Sequence, residues 1–190
     1  MRNAEATRER ILEAAMEEFS SYGIAGARVD RIAKNAGCNK NLIYVYFENK
    51  EMLFTTVLQK NLTRVYEEIS FTPEDLPGYA TKVFDWAMTH PDIVRLMTWY
   101  SLEQKADNIT ERTSVRDRKI KAIRDAQNDG LVGTTFTPGF LLTAIMALAT
   151  AWTPTHPFGP SHDPDAVKIP RETREAIARA VSLIAQGEES

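Results

Sequence analysis

Between Asn39 and Lys50 the chain carries Asn39, Lys40, Asn41, Tyr44, Tyr46 and Lys50. Each of these side chains can hydrogen-bond nucleic acid. Asparagine pairs bidentately with adenine, lysine reaches guanine or a phosphate, and a tyrosine hydroxyl donates to a phosphate oxygen. Lys50 adds a charge beside the amides of a positive helix end. On this reading Asn39, Lys40 and Asn41 approach base edges, while Tyr44, Tyr46 and Lys50 hold phosphates. The competing reading is a helical hairpin whose aromatics pack and meet no DNA. Leu42 and Phe47 are core on either reading. Two tyrosines beside Lys40 and Lys50 are harder to explain as core alone.

The elements that must position these groups lie in VDRIAKNAGCNKNLIYVYF, residues 29–47. A short helix, a turn at Gly37 and a second short helix make a helix-turn-helix. Ala33 is small where the two helices cross. Cys38 reads as a small buried hydrophobe rather than a redox sensor. Asn39 is placed to cap the second helix. That helix lies in a major groove, with its N-terminal residues facing the bases. Before it, Ile11, Leu12, Ala15, Phe19 and Tyr22 form one stripe of a helix over about 5–22, stopped by Gly23. After it, Leu53, Val57, Leu58, Leu62, Val65 and Ile69 mark a long amphipathic helix over about 50–69. The stretch SFTPEDLPG (70–78) is the best boundary. Beyond it the periodicity predicts helices at about 77–89, 92–106, 111–129, 138–153 and 171–186. Thr137 caps the fourth of these, and Gly130 and Gly187 are C-terminal stops. Residues 154–170, with five prolines, form a long loop. No segment alternates as a strand does, so the expected fold class is all-α.

The 190 residues carry a net charge of −3, which taken alone argues weakly against a nucleic-acid partner. The charge is uneven, however. Within 28–50 the basic residues Arg28, Arg31, Lys34, Lys40 and Lys50 face only Asp30 and Glu48, leaving a local +3. A single cysteine excludes an internal disulfide and fits a reducing cytoplasm. The charged N-terminus lacks the apolar core of a signal peptide. The longest apolar run, Phe140 to Trp152, is too short to span a bilayer.

The segment resembles the TetR family of one-component transcriptional regulators. The matching residues are Ile11 to Phe19, Ile32-Ala33, Ala36-Gly37, Leu42-Ile43-Tyr44, Tyr46-Phe47, Lys50 and Leu53. They follow the pattern I-A-x-x-A-G and then Y-x-(H/Y)-F-x-x-K-x-x-L. The resemblance covers about residues 5–58, and the remainder agrees in length and helix count. It implies a homodimer that binds a palindromic double-stranded DNA operator and releases it on binding a small-molecule effector. It implies a helix-turn-helix domain over 1–49, joined by the helix at 50–69 to a ligand-binding and dimerisation domain within 50–190. The chain departs from the pattern at Asn39, Asn41 and Cys38, and at Ala27-Arg28, where a Thr pair is usual. That last change removes a hydroxyl cap and supplies Arg28 as a phosphate contact.

Past residue 70 no generic motif remains. Trp86, His90, Met97, Trp99, Tyr100, Glu103, Phe140 and Trp152 supply aromatic, thioether and polar groups of the kind that line apolar pockets in helical bundles. Taken singly, each aromatic reads as core. The helix at 138–153 has no charged residue, and that at 171–186 has one apolar face. Leu141, Ile145, Leu148, Ile177, Val181 and Ile184 are therefore the expected dimer contacts, in a four-helix interface. No Gly-rich phosphate loop, serine elbow or metal-spaced Cys/His cluster is present. His156, His162 and Asp163 read as a solvated loop rather than a metal site. The expectation is no metal, no cofactor and no catalytic residue. The alternative is a helical enzyme or a ligand-sequestering protein whose helix-turn-helix has no DNA role.

Overall fold

The computed structural model describes residues 2–103, 110–166 and 170–186. Among these there are ten α-helices and one 3-10 turn, and no strand. They are α1 (Arg2–Gly26), α2 (Val29–Ala36), α3 (Lys40–Phe47), α4 (Lys50–Glu68), α5 (Leu76–Thr89), α6 (Pro91–Glu103), α7 (Thr110–Asn128), α8 (Pro138–Thr150), α9 (Gly159–His162) and α10 (Pro170–Gln186). The 3-10 turn is Pro73–Asp75, and α9 is a single turn within the proline-rich loop. Gly187 and Gln104 lie outside the described residues.

The chain forms two compact units. One comprises residues 1–65 and 92–109, the other 66–91 and 110–190. The chain crosses from one to the other inside α4, again at the start of α6, and a third time between residues 109 and 110.

In the first unit, local chemistry sets each helix end. Gly37 takes φ 64°, ψ 41°, the left-handed conformation that lets the chain turn from α2 into α3 without a Cβ penalty. Asn39 Oδ1 accepts the Asn41 N–H at 2.8 Å and caps α3. Asn49 Oδ1 accepts the Met52 N–H at 2.7 Å and caps α4. Arg28, at the N-cap of α2, gives no side-chain cap. The carboxylate of Glu18, on α1, does that work instead. It accepts the Arg28 N–H at 2.7 Å and binds Arg31 Nη2 at 2.6 Å. α1 departs from the expected stop. Gly23 breaks the helix (φ 67°, ψ −177°), but helical bonding resumes to Gly26. The core joins Ile11, Phe19, Ile32, Ile43, Phe47, Leu53, Phe54 and Leu58 to Leu96 of α6, with Phe19 edge-on to Phe54 at 5.1 Å.

In the second unit α5 is the centre, and α8 and α10 pack against it and against each other. α7 packs on α8 and on the 3-10 turn. Asp75 caps α5 through the Gly78 N–H, and Thr137 caps α8 through the Phe140 N–H. Tyr79, Phe84, Ile123, Leu141, Ile145, Ile177 and Val181 are buried there. Arg174 of α10 pairs with Asp85 of α5 at 2.9 Å, outside the core.

Candidate nucleic-acid interface and cavity

A helix of eight residues with Ile43 and Phe47 turned into the core has its other face at the surface. On α3 that face is Asn41, Tyr44 and Val45, with Lys40 beside it, all exposed. The spacing i, i+3, i+4 places Asn41, Tyr44 and Val45 on one stripe. Val45, 76 % exposed, was absent from the residues singled out on chemistry, because a hydrophobe carries no hydrogen-bonding signal. Its helical register with Asn41 was the available clue. An apolar side chain there is suited to a thymine methyl group.

The expected contact residues divide by what they already hold. Asn41 and Tyr44 are exposed, and the side-chain amide of Asn41 makes no hydrogen bond to the described residues. Arg28 has its side chain at the surface and its backbone N–H on Glu18. Lys40 Nζ lies 3.0 Å from Asp30, which raises the lysine pKa first through that hydrogen bond and then through charge. Lys50 Nζ donates to Ala27 O at 3.3 Å, leaving two ammonium protons for another acceptor. Two of the expected contacts are already engaged within the chain. Asn39 has its amide oxygen committed to the α3 cap, so bidentate pairing with adenine is closed while the cap holds. Tyr46 donates its one hydroxyl proton to Ala4 O at 3.2 Å, so a phosphate contact requires that bond to break.

Glu18 fixes the frame behind this surface. Burial opposes its charge, but hydrogen bonds from Arg31 and from the Arg28 N–H outweigh that and hold the carboxyl below its ordinary range. Cys38 is half-buried, and desolvation raises its thiol pKa, which suits a small packing residue rather than a reactive thiol.

The residues expected to meet a ligand fall into both units. In the first, Trp99 and Glu103 serve the bend in α1. Trp99 Nε1 donates to Ser20 O at 3.2 Å, and Glu103 accepts the Ile24 N–H at 2.8 Å and the Ala25 N–H at 3.1 Å. A Cβ at Gly23 would stand 2.5 Å from Glu103 Oε1 and 2.9 Å from the Trp99 ring, so glycine is required by both space and φ. Met97 and Tyr100 are half-buried on the same helix. In the second unit, Trp86 stacks on His90 at 4.5 Å and donates to Glu68 at 2.8 Å. His90 Nδ1 is 3.0 Å from Trp86 O. Phe140 stacks on Phe136 at 4.9 Å and is 54 % exposed. The Trp152 indole N–H is buried and has no acceptor among the described residues.

None of those eight residues lines a cavity of about 280 Å³ in the second unit. Its walls are Tyr66, Ile69, Phe71, Val115, Arg118, Lys119 and Ala122. Chemistry-first reading missed Lys119 because the strongly polar α7 looks like a solvated helix.

Four expected dimer residues, Leu141, Ile145, Ile177 and Val181, are at most 1 % exposed within the single chain. They form its own core between α5, α8 and α10. Leu148 and Ile184 are half-buried, and Leu183, next to Ile184, is 73 % exposed. Among the described residues no group of His, Cys, Asp and Glu is arranged to hold a metal ion. His156 Nδ1 instead accepts the Phe158 and Gly159 N–H groups, and Asp163 accepts the Ala166 N–H. No helix among them is long and apolar enough to cross a membrane.

Comparison with known proteins bears on this architecture. Residues 11–57 match the model of bacterial regulatory proteins of the tetR family, and residues 75–182 match a tetracyclin repressor-like C-terminal domain. The HTH-type transcriptional repressor SCO4008 of Streptomyces coelicolor is 38 % identical over 151 residues, covering 78 % of this chain and 79 % of that protein. The crystal structure of a transcriptional regulator from the same organism, SCO4942, superposes with a TM-score of 0.80 at 37 % identity, covering 93 % of this chain and 96 % of the other. AibR, solved with isovaleryl coenzyme A and operator DNA, shares the fold at a TM-score of 0.70 and 16 % identity, over 96 % of this chain and all (100 %) of its own.

Proposed function

The chain belongs to the TetR family of bacterial transcriptional regulators, and on that premise we propose that it works as a homodimeric repressor. It holds a palindromic operator and releases it when a small effector occupies the C-terminal domain. The functional division we assign is a DNA-binding domain over 1–49 and an effector and dimerisation domain over 50–190, linked by α4. Its place is the cytoplasm, beside the chromosome, and it carries out no catalysis.

The observation that supports this reading best is the exposed stripe of α3, where Asn41, Tyr44 and Val45 project from a helix whose opposite face is core. Asn41 and Val45 read bases, with Lys40 joining them once it leaves Asp30. Arg28, Tyr44 and Lys50 hold phosphates and fix the register. Dimerisation uses the surface that α8 and α10 leave uncovered, at Leu148, Leu183 and Ile184. Two α3 helices must then present themselves about 34–36 Å apart, or a multiple of that, to meet successive half-sites.

Release needs an effector that binds better to a conformation with the wrong spacing, and the shift cannot exceed that difference in affinity. AibR, which accommodates an acyl-coenzyme A and operator DNA, offers a precedent in the same fold. α4 is the lever, since it runs unbroken from Lys50 to Glu68. Glu103 and Trp99 supply a second route, because they hold the bend that feeds directly into α2.

Fluorescence anisotropy with the DNA upstream of its own coding region tests the reading. Sequence-selective binding that weakens steeply with salt is expected. Binding that does not discriminate this DNA, or neighbouring promoters, from random duplex would overturn it.

A further inference from the structure

We infer that the Lys119 cavity is the effector site, and that it takes small aromatic carboxylates. The inference rests on the ligand-responsive reading above and adds the place and the chemical class.

Charge argues for the carboxylate. Lys119 Nζ donates to Tyr79 Oη at 2.6 Å and sits over the rings of Tyr66, Phe71 and Tyr79, at 5.6, 5.6 and 4.9 Å. Those are neutral partners. Among the described residues no carboxylate lies within ion-pair distance of Lys119, or of Arg118 beside it on the cavity wall. A half-buried ammonium normally acquires a counter-ion, since an unpaired charge out of water is costly. Here the wall carries a second cation, the exposed Arg118, whose charge acts against that of Lys119. The pair repels a cationic ligand and gains most from an anion.

Shape argues for an aromatic body. Tyr66 and Phe71 put two rings on the wall, and Tyr79, buried behind it, meets Phe71 edge-on at 4.9 Å. Ile69, Val115 and Ala122 complete an apolar lining. Aromatic rings favour edge and offset partners of their own kind. A volume of about 280 Å³ is at the small end for ligand pockets, which excludes a long acyl chain.

A pH signature follows. Burial, and to a smaller extent Arg118, lowers the Lys119 pKa to about 8. The groups facing it are Tyr66, Tyr79 and Arg118, and burial holds Tyr79 neutral with a pKa raised to about 12. A bound carboxylate restores the ammonium, so binding takes up a proton near pH 8. Affinity is level below about pH 8 and falls about tenfold per unit above it, until the lysine of the complex itself titrates.

The test uses the full chain in solution with benzoate, 4-hydroxybenzoate and indole-3-carboxylate. Benzamide is the neutral control and benzyltrimethylammonium the cationic one. Calorimetry should show binding of at least one carboxylate, about tenfold or more tighter than benzamide. Lys119→Met should remove that preference and the pH step, while Lys119→Arg keeps the preference and loses the step. Circular dichroism verifies that each variant is folded, and Tyr79→Phe, with the lysine intact, is a second variant expected to weaken binding several-fold. The inference fails if no carboxylate binds, if benzamide or the quaternary ammonium binds as well, or if folded Lys119→Met keeps the preference. Operator release is read separately. A carboxylate that binds through Lys119 without releasing DNA supports the site and overturns its role as an effector site.

Discussion

The α3 surface of the first unit and the Lys119 cavity of the second treat charge in opposite ways. In the first, polar groups on and behind the proposed DNA-binding surface already have partners: Glu18 with Arg31 and Arg28, Lys40 with Asp30, Lys50 with Ala27, and Glu103 with the amides after Gly23. In the second, Lys119 and Arg118 line a cavity without a carboxylate partner among the described residues. A surface that meets a polyanion from outside can keep its cations in weak, exposed pairs, because exchanging such a pair costs little. A cavity must keep its charge uncompensated in advance, since its partner is the ligand.

Breaking the internally satisfied side should give the largest effects. Gly23→Ala forces a Cβ into Glu103 and Trp99 at a positive φ, and should cost about 3 kcal/mol in urea unfolding. A loss near zero would mean the bend relaxes freely and α6 does not hold it.

Glu18→Gln should cost about 2 kcal/mol, because it removes a charged acceptor from Arg31 and weakens the α2 cap. The wild-type carboxyl has its pKa lowered from 4.5, so its contribution is present above that value and is lost as pH falls through the lower folded value. The variant should lack this part of the acid dependence. An identical acid profile in both proteins would remove Glu18 from the account.

Smaller effects are expected on DNA. Lys50→Ala should reduce the slope of log affinity against log salt by about 1, and Tyr44→Phe should weaken binding with a slope nearly unchanged. An unchanged slope in Lys50→Ala would take this lysine off the phosphates. The least effect belongs to Asp30→Asn, which frees Lys40 from an exposed pair. DNA binding should tighten by about two- to threefold, in keeping with a pair of about 0.5 kcal/mol. Weaker binding would show that Asp30 positions Lys40 rather than competing for it.

Much of the first unit was legible in the residues themselves. The α2–Gly37–α3 turn, the Asn39 cap and the exposure of Asn41 and Tyr44 all follow from local rules, in which a few neighbouring residues fix the backbone. What could not be read there depended on a distant partner. Nothing local to Tyr46 indicates Ala4, and nothing local to Ala27-Arg28 indicates that Glu18 would replace the missing cap. The second unit was legible as helices and hardly at all as a site. An uncharged α8 reads equally as a dimer face or as a helix buried by α5 and α10, and much of it proved to be the latter.

By itself, the sequence determined which long segments are helices, where several of them are capped, and which family they form, because periodicity, caps and turn glycines act over a few residues. Only the tertiary structure decided which polar groups remain available. That depends on groups far apart in the chain, as when Glu103 takes up the amides beyond Gly23 and spends itself there. The same is true of Lys119, an unremarkable residue of a charged helix until folding encloses it among Tyr66, Phe71 and Tyr79. Partial burial converts a solvated ammonium into a charge with only neutral partners among the described residues, and burial is a property of the whole fold.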